Sequence, residues 1–429
     1  MSERGRHSVS GVWLVRWRVI DDALSLVAFE QHLVERAELA SPSPTVPWIP
    51  DVTDELFGPS PSDPAGAQLG RAQLSLQDLR DVLDVDIGVG LLGHHGVAIA
   101  DVSGDGLDDV FVLQPGGVPN QLWIRSPNGR ALDLASSAGL DHLDVTRSAL
   151  LLDLDGDGDR DAVLGLGDGV QFMVQTRDGF IEGPFVERAN VSTLAAADVD
   201  SDGRIDIYAC AYVDPYRGGA GVPIPYHDAE NGESNLLLVN HSDEFDALRF
   251  TDETEARGLH VAARRFSLSA TFDDIDDDGD PDLYVANDFG RNALYINDGE
   301  GRFEERARAY GVEDIGAGMG AVLDDVDGDG IVDLYVSNME SSAGRRVTGR
   351  AGFRRDVPED VRAVLRRHAK GSTFFRGASA GGFIEAAGVA SQARWAWGGT
   401  TTDLDGDGLF DLLVPNGFVS ARRDGAPDL

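Results

Sequence analysis

The chain has 429 residues, 42% of them apolar, enough to bury one large core or two modest ones. Its 74 Asp and Glu against 36 Lys and Arg give a formal charge of −38, which sets it against nucleic acid and anionic membrane surfaces as partners. A single cysteine excludes intramolecular disulfides, and no stretch approaches the roughly 20 apolar residues of an integral membrane segment.

The first 46 residues read as an N-terminal extension, partly helical. Its apolar patch from Gly11 to Ile20 is interrupted by Arg16 and Arg18 and lacks a small-residue cleavage site, so it makes a poor secretory signal. Residues 7–20 are candidates for parts of a seventh propeller blade, 20–39 look like an amphipathic helix, and 59–85 a loop followed by a helix. His94 and His95 stand beside the first expected inner strand and are read as structural.

From Asp101 onward one nine-residue phrase, D-x-D-x-D-G-x-x-D, occurs six times, each copy followed by an apolar, β-branched run. By positions 1, 3, 5 and 9 the first copy offers Asp101, Ser103, Asp105 and Asp109; the second, Asp153, Asp155, Asp157 and Asp161. The third offers Asp198, Asp200, Asp202 and Asp206, and the fourth Asp274, Asp276, Asp278 and Asp282. Asp325, Asp327, Asp329 and Asp333 make the fifth, and Asp403, Asp405, Asp407 and Asp411 the sixth. Alternate side chains turn inward when such a loop wraps an ion, and a glycine at position 6 permits the sharp turn that brings round the backbone carbonyl of position 7. Those carbonyls belong to Leu107, Asp159, Arg204, Asp280, Ile331 and Leu409.

Oxygen ligands without His or Cys select a hard cation, and a flexible carboxylate ring suits calcium better than magnesium or manganese, so up to six Ca2+ ions are expected. An EF-hand starts the same way but needs Glu at position 12, where this chain has Val112, Leu164, Ala209, Val285, Val336 and Val414. The runs after the loops, such as Asp282-Leu-Tyr-Val285, are strand-like, so each loop joins two strands instead of two helices. Cys210 falls in one such run and reads as a buried structural thiol.

Loop starts are separated by 52, 45, 76, 51 and 78 residues, a period near 50 that predicts an all-β propeller of six or seven four-stranded blades. The fourth unit shows the pattern: an inner strand over 266–272, the loop, then strands over 282–286, 292–297 and 302–307. The two long intervals carry insertions at 212–233 and 339–370 between second and third strands, the latter with a short helix from Pro358 to His368. Both are expected on one face, where binding surfaces of repeat scaffolds usually lie. The sixth unit lacks its outer strands, and the phrase Trp48–Glu55 resembles the outer-strand phrase Phe250–Glu255, so residues 47–55 are expected to complete it. The propeller is assigned to 47–420, with a tail at 421–429.

The loops, together with Val285-Ala-Asn-Asp-Phe-Gly-Arg-Asn-Ala-Leu-Tyr-Ile-Asn297 and Asp298-Gly-Glu-Gly-Arg-Phe303, resemble the FG-GAP/VCBS repeats of integrin α-subunits and of the cartilage acidic protein (CRTAC) family. Gly316–Gly320, Val336–Met339 with Ser342–Arg345, and Arg394-Trp-Ala-Trp-Gly398 resemble a bacterial branch of that family. The resemblance implies a calcium-stabilised propeller, generally extracytoplasmic, acting in adhesion or recognition. Many relatives carry a C-terminal ASPIC/UnbV domain, which has no counterpart up to Leu429. Calcium-dependent, non-catalytic recognition of a protein or glycan is therefore the expected function, in a secreted, periplasmic or cell-surface setting where calcium is plentiful. The alternatives are a carbohydrate-active enzyme using His227, Asp228 or His368 on the insertion face, and a purely structural assembly module.

Overall fold

A computed structural model describes residues 14–20, 23–29, 96–126, 130–213, 228–242, 248–388, 393, 396–404 and 407–415. The fold is all-β and built of propeller blades, each an antiparallel four-stranded meander. The described residues fall into two compact units, one drawn from 51–213 and 233–257, the other from 1–50, 214–232 and 258–429.

The first unit holds three blades. Strands β3 (Val97–Ala100), β4 (Asp109–Val112), β5 (Gln121–Arg125) and β6 (Ala131–Asp133) form one. Strands β7 (Thr146–Leu152), β8 (Asp161–Leu166), β9 (Gly169–Thr176) and β10 (Gly179–Glu187) form the next, and β11 (Val191–Ala197), β12 (Asp206–Ala211), β13 (Leu236–Asn240) and β14 (Phe250–Asp252) the third. Second strands are the blade centres: β8 and β12 are buried on both faces along their whole length, so they read as unbroken apolar runs without alternation. Phe111, Leu122, Leu140, Leu164 and Met173 fill one core, and Val163, Phe172, Leu194, Ile207 and Leu238 a second. Each buried side chain of this size contributes about 1.5–3 kcal/mol. Cys210 lies in β12 without exposure, and burial pushes its thiol pKa well up, so it packs as a small apolar group.

The second unit holds a blade of β15 (Ser267–Asp273), β16 (Asp282–Asn287), β17 (Ala293–Asn297) and β18 (Phe303–Glu305). A second blade has β19 (Gly318–Asp324), β20 (Asp333–Asn338), β21 (Thr373–Gly377) and β22 (Phe383–Ala386), and the pair β23 (Thr400–Thr402) and β24 (Asp411–Leu413) belongs to the last repeat. Tyr284, Leu294, Val312, Leu334, Val336 and Phe375 form a core here. Short helical turns, α1 (Ala135–Ala138) in the first unit and α2 (Ala307–Tyr310) here, follow outer strands and end on the left-handed Gly139 and Gly311. Four inner strands carry a register shift at the same place, near Ser148, Thr193, Ser269 and Gly320, a bulge repeated from blade to blade.

The stretch between β20 and β21 contains two helices, α3 (Ser342–Thr348), capped by Ser341, and α4 (Glu359–His368), the expected one, preceded by Pro358. The segment read as an amphipathic helix over 20–39 is different: Ala23–Phe29 is a strand, β2, paired antiparallel with β1 (Leu14–Ile20). Its sequence Ala-Leu-Ser-Leu-Val-Ala-Phe satisfies a two-residue period as well as a helical one, and seven residues are too few to separate them. The expectations for residues 30–39, 47–55 and 59–85, and for His94 and His95, lie outside the described residues.

Candidate metal centres

Each loop sits between the first and second strands of a blade, and its backbone explains its sequence. Position 6 is left-handed in all six copies, with φ of +84° at Gly106, +95° at Gly158, +85° at Gly203, +95° at Gly279, +85° at Gly330 and +90° at Gly408. Position 4 is left-handed too, at Gly104, Gly156, Ser201, Asp277 and Gly328, a requirement that the glycines there signalled and the sequence reading passed over.

Within this frame the first aspartate accepts two backbone amides. Asp274 takes Asp278 N at 3.0 Å and Gly279 N at 2.9 Å; Asp101, Asp198, Asp325 and Asp403 repeat the pattern. Asp153 accepts instead from Gly156 N and Gly158 N. The fifth-position carboxylates of Asp105, Asp157, Asp202, Asp278, Asp329 and Asp407 receive the amides of Leu107, Asp159, Arg204, Asp280, Ile331 and Leu409 at 2.9–3.1 Å. These bonds fix the course of the loop backbone.

The ninth aspartate has a second role. Its Oδ2 accepts the amide of position 2 in five copies, from Val102, Leu154, Val199, Ile275 and Leu404. Its Oδ1 reaches across the blade to an amide at the end of the third strand: Asp109 to Arg125, Asp161 to Gln175, Asp206 to Asn240, Asp282 to Asn297 and Asp333 to Gly377. It is a ligand candidate and also the rivet between loop and sheet.

Four copies bring carboxylate oxygens of positions 1, 3 and 9 within 4.8 Å of one another: Asp153, Asp155 and Asp161; Asp198, Asp200 and Asp206; Asp274, Asp276 and Asp282; Asp325, Asp327 and Asp333. Such sets can hold a metal ion. Three oxygens in them, Asp200 Oδ1, Asp327 Oδ1 and Asp333 Oδ2, are buried without a hydrogen-bond partner, leaving lone pairs that a cation could coordinate. At its ligand positions the first copy has only Asp101, Asp105 and Asp109 as acids, with Ser103 at the third, and Asp405 of the sixth lies outside the described residues.

Burial, with the charges of the neighbouring aspartates added, pushes Asp161 and Asp206 up to about 6 and Asp282 and Asp333 to about 7. Burial also raises Asp155, Asp276 and Asp327. Two loops carry a fixed counter-ion. Arg257 bonds Asp200 at 2.8 Å, and Arg376 pairs with Asp327 and Asp329.

Two of the remaining candidates, Asp228 and His368, lie among the described residues. Asp228 is ion-paired with Arg291 at 2.9 Å, which in turn holds Glu313 at 3.0 Å. His368 is half-buried at the end of α4, and His227 lies outside the described residues. Among the described residues no helix is long and apolar enough to cross a membrane.

A family model described as an FG-GAP-like repeat matches residues 274–336, from the fourth loop through β20. Cartilage acidic protein 1 of Xenopus tropicalis is 25% identical over 394 residues, covering 77% of this chain and 58% of that protein. The chain thus carries an FG-GAP-like repeat over those residues and is similar to cartilage acidic protein 1. The Mus musculus and Homo sapiens proteins of that name are 25% and 24% identical over the same 77% of the chain. The chain thus spans under three-fifths of the length of the curated relatives it matches. Among solved structures, the V. cholerae biofilm matrix protein Bap1 aligns over 70% of the chain and 40% of its own, at 15% identity and a TM-score of 0.37, too distant to bear on the fold.

Proposed function

We propose that this chain is a calcium-binding, non-catalytic recognition propeller working outside the cytoplasm, with a protein or glycan ligand bound on the face of its insertions. The observation that carries the metal half is the register of the four carboxylate sets, each with a buried ninth aspartate and, in two of the blades, an oxygen lacking any donor. Calcium fits them because every donor is a hard oxygen, the loop has backbone carbonyls at position 7 to add to the side chains, and the ring lies partly open to water. The ligands are the first, third, fifth and ninth side chains, with Ser103 in place of a carboxylate in the first copy and giving the weakest site.

Clustered carboxylates repel one another until an ion neutralises them, so calcium binding and folding are coupled. That coupling suits a compartment with calcium near millimolar, and relatedness to cartilage acidic protein supports the same placement. Equilibrium dialysis against radioactive calcium, followed by melting with and without chelator, tests the reading. Saturable uptake of several ions per chain with a higher melting temperature is expected; no uptake at millimolar calcium would falsify it.

A further inference from the structure

The segment between β20 and β21 inverts the charge of the molecule. Residues 339–370 hold nine of the chain's 36 basic residues and four of its 74 acids, whereas the rest of the chain sets 27 bases against 70 acids. The helices α3 and α4 and the turn between them enclose a cavity of about 510 Å³ whose lining includes Arg350, Arg355, Arg362, Arg366, Phe353 and Glu359.

Glu359 is shared by Arg362 and Arg366. Arg350 and Arg355 are exposed, and among the described residues neither has an ion-pair partner; Arg355 only donates its Nε to the Ala351 carbonyl at 3.0 Å. The platform under them is fixed. Arg367 of α4 reaches down to Asp314 of the blade at 2.8 Å, to Thr373 at 3.0 Å and to Glu385 at 2.9 Å. Free arginines on an anchored scaffold form a preorganised anion receptor, because the planar guanidinium fork matches carboxylate and sulfate oxygens.

We propose that this cavity binds a short acidic saccharide, its sulfate or carboxylate held by Arg350 and Arg355 and its ring set against Phe353. The volume lies within the range of about 300–1,000 Å³ typical of small-ligand sites. A long polyanion such as duplex DNA is disfavoured, since it would run beyond the basic segment into the acidic remainder of the surface. The inference rests on the recognition reading above for its use, but not on the metal loops for its chemistry.

The test is calorimetric titration of the whole calcium-loaded chain with a heparin-derived tetrasaccharide, with inorganic sulfate and with duplex DNA, for the natural sequence and for R350E/R355E. Saturable binding of the tetrasaccharide is expected, tighter than sulfate by about tenfold or more and weakened about tenfold or more by the double substitution. The melting temperature should be the same for both chains, since neither arginine is buried or ion-paired. No tetrasaccharide binding, equal binding of inorganic sulfate, tighter binding of DNA, or an affinity untouched by R350E/R355E each overturns the proposal. Calcium uptake measured on the same samples separates this failure from failure of the metal reading.

Discussion

Asp282 Oδ1 accepts the amide of Asn297 at 2.8 Å while its Oδ2 accepts that of Ile275 at 3.0 Å, so one buried carboxylate joins the start of an aspartate loop to the far end of the third strand. Asp276, by contrast, is exposed and belongs to the same carboxylate set. The two should separate in mutagenesis. Asp282→Ala is expected to cost about 2–4 kcal/mol even in excess chelator, because two charge-assisted bonds are lost and two buried amides are left bare. Asp276→Asn should leave the chelated protein's stability within about 0.5 kcal/mol and instead weaken calcium binding. Urea melts of both variants in EDTA check the contrast; equal losses would remove it.

Acidity should act in opposite senses on the chelated and the calcium-loaded chain. Asp161 and Asp206 titrate at about 6 and Asp282 and Asp333 at about 7, above the ordinary 3.8, chiefly through burial. A raised native pKa means that the folded state holds the extra protons, so the stability these groups contribute is fully present below the unfolded value and is lost as pH rises through about 6–7. The chelated protein is therefore expected to melt lower at about pH 7.5 than at about pH 5, and the calcium-loaded protein higher, since the ion needs ionised carboxylates. Calorimetric scans at the two pH values decide it.

Counter-ions already present should grade the loops. Arg257 on Asp200 and Arg376 on Asp327 partly neutralise the third and fifth copies, while no ion pair is found on the carboxylates of the second copy among the described residues. Asp155→Asn should therefore lower the calcium-induced gain in melting temperature more than Asp200→Asn does. Paired melts of the two variants at saturating calcium test this ordering.

Arg367 and Asp314 form the buried pair that docks the insertion. Burial alone would raise the Asp314 pKa, yet the Arg367 charge and the bonds from Arg367, Thr373 and Asn338 hold it below the usual range. Arg367→Ala should cost about 3–5 kcal/mol by leaving Asp314 unpaired, and Arg367→Met with Asp314→Leu should recover much of that loss. Denaturant titration of the single and double variants gives the coupling.

Much of this was legible because the decisive residues are contiguous. Donors at positions 1, 3, 5 and 9 fall within nine residues, so the loop could be read without knowing the fold, and the strand after it announced itself as an apolar β-branched run. What stayed hidden depends on distance along the chain. Nothing local says that Asp161 will meet the amide of Gln175, or that Arg367 will find Asp314, 53 positions earlier. The strand Ala23–Phe29 was misread for the opposite reason: too short a segment, with a pattern that serves two periods.

Every acidic donor set comes from a single hairpin, so the six copies are redundant parts with separate fates. On the metal-binding reading proposed above, a substitution such as the serine at position 103 would weaken one without touching the chemistry of the others. Sequence drift in such a chain would erode ion capacity stepwise, and a blade that had lost its carboxylates altogether could persist on its apolar core, freed to take up some other task.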